Sequence, residues 1–91
     1  MRNEAWYVME AMQGGKPMTM PKIYMAVREV WRLYDYEPPM KEWKSEIRRI
    51  LQHHCASSKD HNKKDDFFIH HRRDVWSCKI VLQKPKIEDL A

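Results

Sequence analysis

From Trp43 to Cys55 the chain repeats with a helical period. Turned at about 100° per residue, Trp43, Ile47, Ile50, Leu51 and His54 fall on one side, and Lys41, Ser45, Arg48 and Gln52 on the other. A segment of this kind buries one stripe against a core and leaves a cationic stripe in water. After a polar stretch come two β-rich runs, Phe67 to His71 and Val75 to Leu82, separated by a gap short enough for a hairpin. An amphipathic helix and a hairpin each have one apolar face, and a chain of 91 residues has room for a single modest core. The two must therefore pack on the same core, which narrows the fold more than any other feature.

The residues before this helix supply the rest of that core. Asn3 is suited to cap a first helix in which Ala5, Val8, Met9 and Met12 recur at helical spacing, until Gly14-Gly15 stop it. Lys16-Pro17-Met18 reads as an extended connector, because proline drives its predecessor toward the β region. Thr19 is placed to cap a second helix from Met20 to about Leu33, with Pro21 tolerated in the first turn and Ile23, Val27, Val30 and Trp31 on one stripe. Tyr34 to Pro39 is a proline-bearing linker, so the third helix, about Met40 to Cys55, turns across the second. Ala56 to Asp66 lacks any large apolar residue and reads as an exposed loop. In the hairpin, Trp76, Cys78 and Ile80 are expected to share the inward face.

The expected class is mainly α with a small β-hairpin, an α+β domain spanning 1–82, with 83–91 a polar C-terminal tail or linker. Helix, short extended piece, helix, helix and hairpin follow one another in the order of a winged helix-turn-helix. Helix three then stands as the recognition helix and the hairpin as the wing.

Charge and cysteine usage restrict the function. The net charge is +4, and from Lys41 to Lys64 seven Lys/Arg stand against three acids, so the excess is concentrated around helix three. A localised positive field favours a polyanionic partner. Cys55 and Cys78 are the only two cysteines and no apolar leader precedes them, which suggests free thiols in a reducing, cytoplasmic setting. No run of about eighteen apolar residues is present, so no membrane partner is expected. A single small domain also argues against a deep substrate cleft.

Several stretches resemble a known group. Lys16-Pro17-Met18-Thr19, Ile23-Tyr24, Trp43 through Ile47-Arg48-Arg49-Ile50-Leu51-Gln52 to His54-Cys55, Phe67/Phe68 and Val75-Trp76 are similar to winged-helix domains at the N-terminus of HNH-type and Mrr-type restriction endonucleases, and to the wider HARE-type helix-turn-helix group. The resemblance covers roughly residues 4 to 82. It implies a DNA-binding module of bacterial or phage restriction-modification systems, often attached to a nuclease. Such domains commonly place Gly just before the hairpin Trp segment, where this chain has Arg73-Asp74, so a differently shaped wing tip is expected. No nuclease motif is present, and cleavage is not carried over.

The expected contacts with double-stranded DNA are Lys41, Lys44, Ser45, Arg48, Arg49 and Gln52 on helix three, and Arg72 and Arg73 at the wing. Arginine pairs with guanine edges, glutamine with adenine, and lysine with phosphate. Lys59, Lys63 and Lys64 are weaker candidates for the flanking backbone. The alternative is a protein-interaction module that binds and inhibits a partner such as a nuclease or polymerase, through an exposed patch of Trp6, Tyr7, Tyr34 and Tyr36. Trp6, Tyr7, Trp31 and Trp43 are otherwise expected in packing. His53, His54, Cys55, His61, His70, His71 and Cys78 are metal-ligand types, but their spacing forms no ligand pair, and Cys55 is placed as a small buried thiol; no metal or cofactor is expected. Asp60, Asp65, Asp66 and His61 lack a supporting third group, and no catalysis is expected.

Overall fold

The computed structural model describes residues 4–38, 41–58 and 65–82. In chain order these form α1 (Glu4–Ala11), β1 (Met18–Thr19), α2 (Met20–Leu33), α3 (Trp43–His53), β2 (Phe68–Arg72) and β3 (Val75–Cys78). The result is a mixed α+β arrangement in which the helices pack on one antiparallel sheet of strand order β1-β3-β2. Among the described residues no helix is long and apolar enough to cross a membrane. The proposed cap Asn3, Met40, the loop residues Asp60, His61, Lys59, Lys63 and Lys64, and the tail 83–91 lie outside the described residues.

The apolar stripes form the core. Val8 and Met12 of the first helical segment, Ile23 and Val27 of α2, and Leu51 of α3 are completely shielded from solvent, with Phe68 of the hairpin closing the base. Cys55 is buried with them. Burial of these side chains, at about 1.5–3 kcal/mol each, dominates the stability of so small a domain. Gly14 and Gly15 turn the chain after α1 with φ of +108° and +74°, a region closed to most L-residues.

The connector before α2 does more than lead into a helix. Met18 pairs with Trp76 and Thr19 with Val75, so these two residues are an edge strand of the sheet. Thr19 occupies the N-cap position of α2 with extended dihedrals, but its side chain makes no capping bond. The first helical N–H is instead satisfied across the sheet: Met20 N–H donates to the Asp74 carbonyl at 2.9 Å. The hairpin turn thus satisfies the first N–H of α2, which a threonine cap, bonding the second or third, does not serve.

The hairpin is shorter than its pattern suggests, and its second strand is shielded on both sides. Val75, Trp76, Ser77 and Cys78 are all buried, rather than alternate residues alone, and on β2 His70 stacks on Trp76 while His71 reaches Ser77. Beyond Cys78 the Lys79 N–H still donates to the Phe67 carbonyl at 3.0 Å, and the chain that follows is tied to α1 through Gln13. Gln13 donates through Nε2 to the carbonyls of Met9 (2.9 Å) and Ile80 (3.0 Å) and accepts the Leu82 N–H at 3.0 Å. Ile80 and Leu82 remain half-buried against the core for that reason, not as strand residues.

Helix three begins at Trp43, later than the sequence pattern implies. Glu42 at its N-cap has φ −89° and ψ 46°, outside the helical well, so Lys41 sits in the turn that precedes the helix. At the other end the helix hands over directly to the sheet. The His54 carbonyl accepts the N–H groups of both Phe67 (2.8 Å) and Phe68 (3.1 Å).

Candidate nucleic-acid interface

The outer side of α3 is exposed at Lys44, Ser45 and Gln52, and Lys41 is exposed just ahead of it. Arg48, in the middle of that stripe, is half-buried because it reaches the hairpin turn: its Nη2 donates to Asp74 Oδ1 at 3.0 Å. This ion pair raises the already high pKa of the guanidinium, chiefly through the hydrogen bond to Asp74. With side chains 42% and 48% exposed, such a pair is screened by water and contributes on the order of 1 kcal/mol or less. Its geometric effect is larger than its energy, since it sets the turn carrying Arg72 and Arg73 against the centre of the α3 face. Both of those arginines are exposed.

Asp74 meets two demands at one position. Its φ of +60° is the left-handed conformation that hairpin turns require and that Asp tolerates better than most residues. Glycine would satisfy the backbone equally well, but only a side-chain carboxylate also holds Arg48. Aspartate at this turn position therefore keeps the left-handed conformation and adds an acid to the cationic face.

Arg49 is placed differently from the other candidates. It forms a bidentate ion pair with Glu46, one helical turn earlier, which lowers the Glu46 carboxyl below its ordinary value, mainly through that hydrogen bond. Glu46 also meets Glu4 at the start of α1. Burial, the Glu46 charge and a shared hydrogen bond raise the Glu4 carboxyl above its ordinary value of 4.5. Arg49 accordingly sits on the flank of α3 that faces α1, apart from the Arg48–Asp74 contact.

The Glu4–Glu46 pair makes a pH prediction. Glu4 holds its proton more tightly in the folded chain than in the unfolded one, so its contribution to stability is present at acid pH and is lost as pH rises from about 4.5 through the raised pKa. Glu46 behaves oppositely, and its contribution is lost as pH falls through its lowered pKa. Glu4→Gln should therefore flatten the fall in melting temperature between acid and neutral pH, and parallel melting profiles for wild type and variant would contradict this.

The hairpin histidines serve the sheet. His70 stacks on Trp76 with ring centroids 4.1 Å apart and planes 14° apart, and His71 Nε2 lies 2.8 Å from Ser77 Oγ. Asp66 accepts the Ala56 N–H at 3.0 Å and pairs with Lys79, drawing the ends of the loop together. Among the described residues no three His, Cys, Asp or Glu side chains converge as metal ligands.

The aromatic residues that would form a protein-binding patch are packed together. Tyr7 is buried, and Trp6, Tyr34 and Tyr36 are half-buried around it, with Tyr7 and Tyr36 ring centroids 4.6 Å apart and Trp6 and Tyr34 5.3 Å apart. In a second cluster Trp31 and Trp43 pack as expected, while Tyr24, Arg28 and Lys44 join them unanticipated. Trp43 makes edge contacts with Tyr24 and Trp31, and Arg28 and Lys44 each lie 5.5 Å from its ring centroid. The i, i+4 spacing of Tyr24 and Arg28 is the signal in the sequence that could have added these two to the tryptophans. No protein-family model matches the chain, and neither a curated protein nor a solved structure does.

Proposed function

We propose that this chain is a winged helix-turn-helix domain that binds duplex DNA, with α3 in the major groove and the β2–β3 hairpin against the backbone. It would serve as the targeting part of a restriction-type system or as a small regulator. The observation that carries this reading is the Arg48–Asp74 contact, because it joins two exposed cationic segments into one surface. Lys41, Lys44, Ser45, Arg48 and Gln52 line the helix side, and Arg72 and Arg73 line the hairpin side. The order helix, short extended piece, helix, helix and hairpin supports this reading. An exposed helix side beside a hairpin turn suits a groove, whereas hydrolytic chemistry needs a concave site with converging groups.

In this reading Lys44 contacts phosphate and Ser45, Arg48 and Gln52 approach base edges. The expected result is duplex binding that weakens steeply with salt, and Lys44→Ala should reduce the slope of log affinity against log salt by roughly one. A fluorescence-anisotropy titration at low salt that shows no duplex binding by the wild-type chain defeats the proposal. Tyr7 is buried and Trp6, Tyr34 and Tyr36 are half-buried around it, which offers the protein-inhibitor alternative less exposed aromatic surface than the duplex reading has exposed cationic residues.

A further inference from the structure

Four large apolar side chains among the described residues stand in water, and two of them, Met25 (70% exposed) and Leu33 (80% exposed), lie on α2. They are eight positions apart with Glu29 midway, so Met25, Glu29 and Leu33 recur at intervals of four. Residues at that interval form one ridge along a helix. This ridge runs on the outer side of α2, away from the buried Ile23, Val27, Val30 and Trp31. Ala26 beside it is short and half-buried, which leaves a shallow groove next to the ridge. Single exposed apolar residues need no explanation, but two on one ridge of one helix offer a second helix a place to pack.

The charges on this side of α2 are ordered from one end to the other. Lys22 is exposed in the first turn, Glu29 and Arg32 are exposed at the middle and in the last turn, and Asp35 and Glu37 are exposed just past the helix. Arg28 lies off the ridge, over the Trp43 ring. Arg32 donates through Nη1 to Glu29 Oε1 at 3.4 Å, one long contact between two mostly exposed side chains. An exposed pair of this kind contributes little, and most of both charged groups still faces water. A cationic start, an acid at the centre and an anionic end complement the same sequence of charges read in the opposite direction.

We propose that α2 packs against α2 of a second copy of this chain, the two helices running antiparallel about a two-fold axis at Glu29. Because Glu29 is midway between the two apolar residues, that axis sets Met25 against Leu33 of the partner subunit, and the converse contact follows by symmetry. Arg32, one turn from the axis, reaches Glu29 of the partner subunit as well as its own, so the two acids near the axis are shared by two guanidinium groups. Lys22 comes to the end of the facing helix, where Asp35 and Glu37 of the partner subunit lie. A patch that matches itself after a half-turn is the kind that makes an isologous dimer, whereas a different partner would need only one of these complementarities. The pairing does not depend on what α3 binds, since it uses the outer side of another helix.

Sedimentation equilibrium tests this on the whole chain without DNA. A contact confined to one helix side is at the small end of specific interfaces, so a weak monomer–dimer equilibrium is expected between about ten micromolar and about one millimolar. Leu33→Lys should raise the dissociation constant at least about tenfold, because symmetry makes one substitution remove two apolar contacts. Leu33 is exposed, so the circular dichroism spectrum of this variant should match that of wild type. Glu29→Arg and Arg32→Glu, each alone, place like charges at the axis and should be monomeric. An equimolar mixture of the two should dimerise again as a mixed pair, and no ion pair between positions 29 and 32 within a chain can account for that, since neither variant retains one. A wild-type chain that stays monomeric throughout, a dimer indifferent to Leu33→Lys, or a mixture that stays monomeric overturns the inference.

Discussion

Phe68→Ala is expected to cost about 3–5 kcal/mol of folding stability, a large part of the roughly 5–15 kcal/mol available to a domain of this size. Phe68 is 1% exposed and among the largest fully buried side chains. It opens β2, its N–H donates to the His54 carbonyl, its backbone bridges Cys55, and its register partner is Cys78. Truncation therefore opens a cavity where helix, loop and sheet meet, and none of these elements can collapse into it without giving up a backbone hydrogen bond. Urea denaturation should show a lower midpoint with an unchanged slope. A loss below about 1 kcal/mol would mean that the hairpin is not anchored by this ring. Because β2 carries the turn to Arg48, the same variant should lose duplex affinity at temperatures where it is partly unfolded and recover it on cooling.

The second large effect concerns Arg48 and Asp74, and it has opposite signs for the two partners. Arg48→Ala should weaken duplex binding by about 1–3 kcal/mol, roughly 5- to 150-fold, if the guanidinium meets a base edge. Asp74→Asn should strengthen binding, since asparagine also tolerates the left-handed turn while the substitution removes an acid from the face and releases Arg48. Folding stability should change little in either variant, because the pair is half-exposed. The two titrations, run at the same salt concentration, separate contact from scaffolding. If Arg48 served only to hold the turn, breaking the pair from either side would weaken binding equally. An Asp74→Asn variant that binds more weakly than wild type would therefore reassign Arg48 to structure.

The helices were legible because their apolar residues recur at a local period. Ile23, Val27, Val30 and Trp31 predicted the buried side of α2, and Ile47, Ile50 and Leu51 that of α3. Boundaries were less legible, since helix ends depend on individual dihedrals. Glu42 leaves the helical well, and α3 starts at Trp43 rather than Met40. The burial of Val75 and Ser77 could not be read from β3 alone, because Val75 is paired with Thr19 in a strand too short to leave a pattern and Ser77 is reached by His71 across the hairpin.

The candidate surface divides in the same way. Ser45 and Gln52 were placed on the exposed side by helix periodicity, and the structure leaves them exposed. The Glu46–Arg49 pair follows a sequence spacing that favours contact on a helix, so its effect on Arg49 was foreseeable. Asp74 as the partner of Arg48 was not, since the two meet only after the sheet has formed.

The pairing of Thr19 with Val75 joins two ends of the fold, separated by all of α2, α3 and β2. Contacts this distant in sequence are slow to form, because a long loop must close before any bond repays the lost entropy. During synthesis α1 and α2 can associate early, but β1 has no partner until β3 has left the ribosome, and the first N–H of α2 lacks its Asp74 acceptor until then. The cationic surface is therefore completed in the last stage of folding, and a nascent chain that ends before Val75 carries most of the basic residues without the geometry that aligns them.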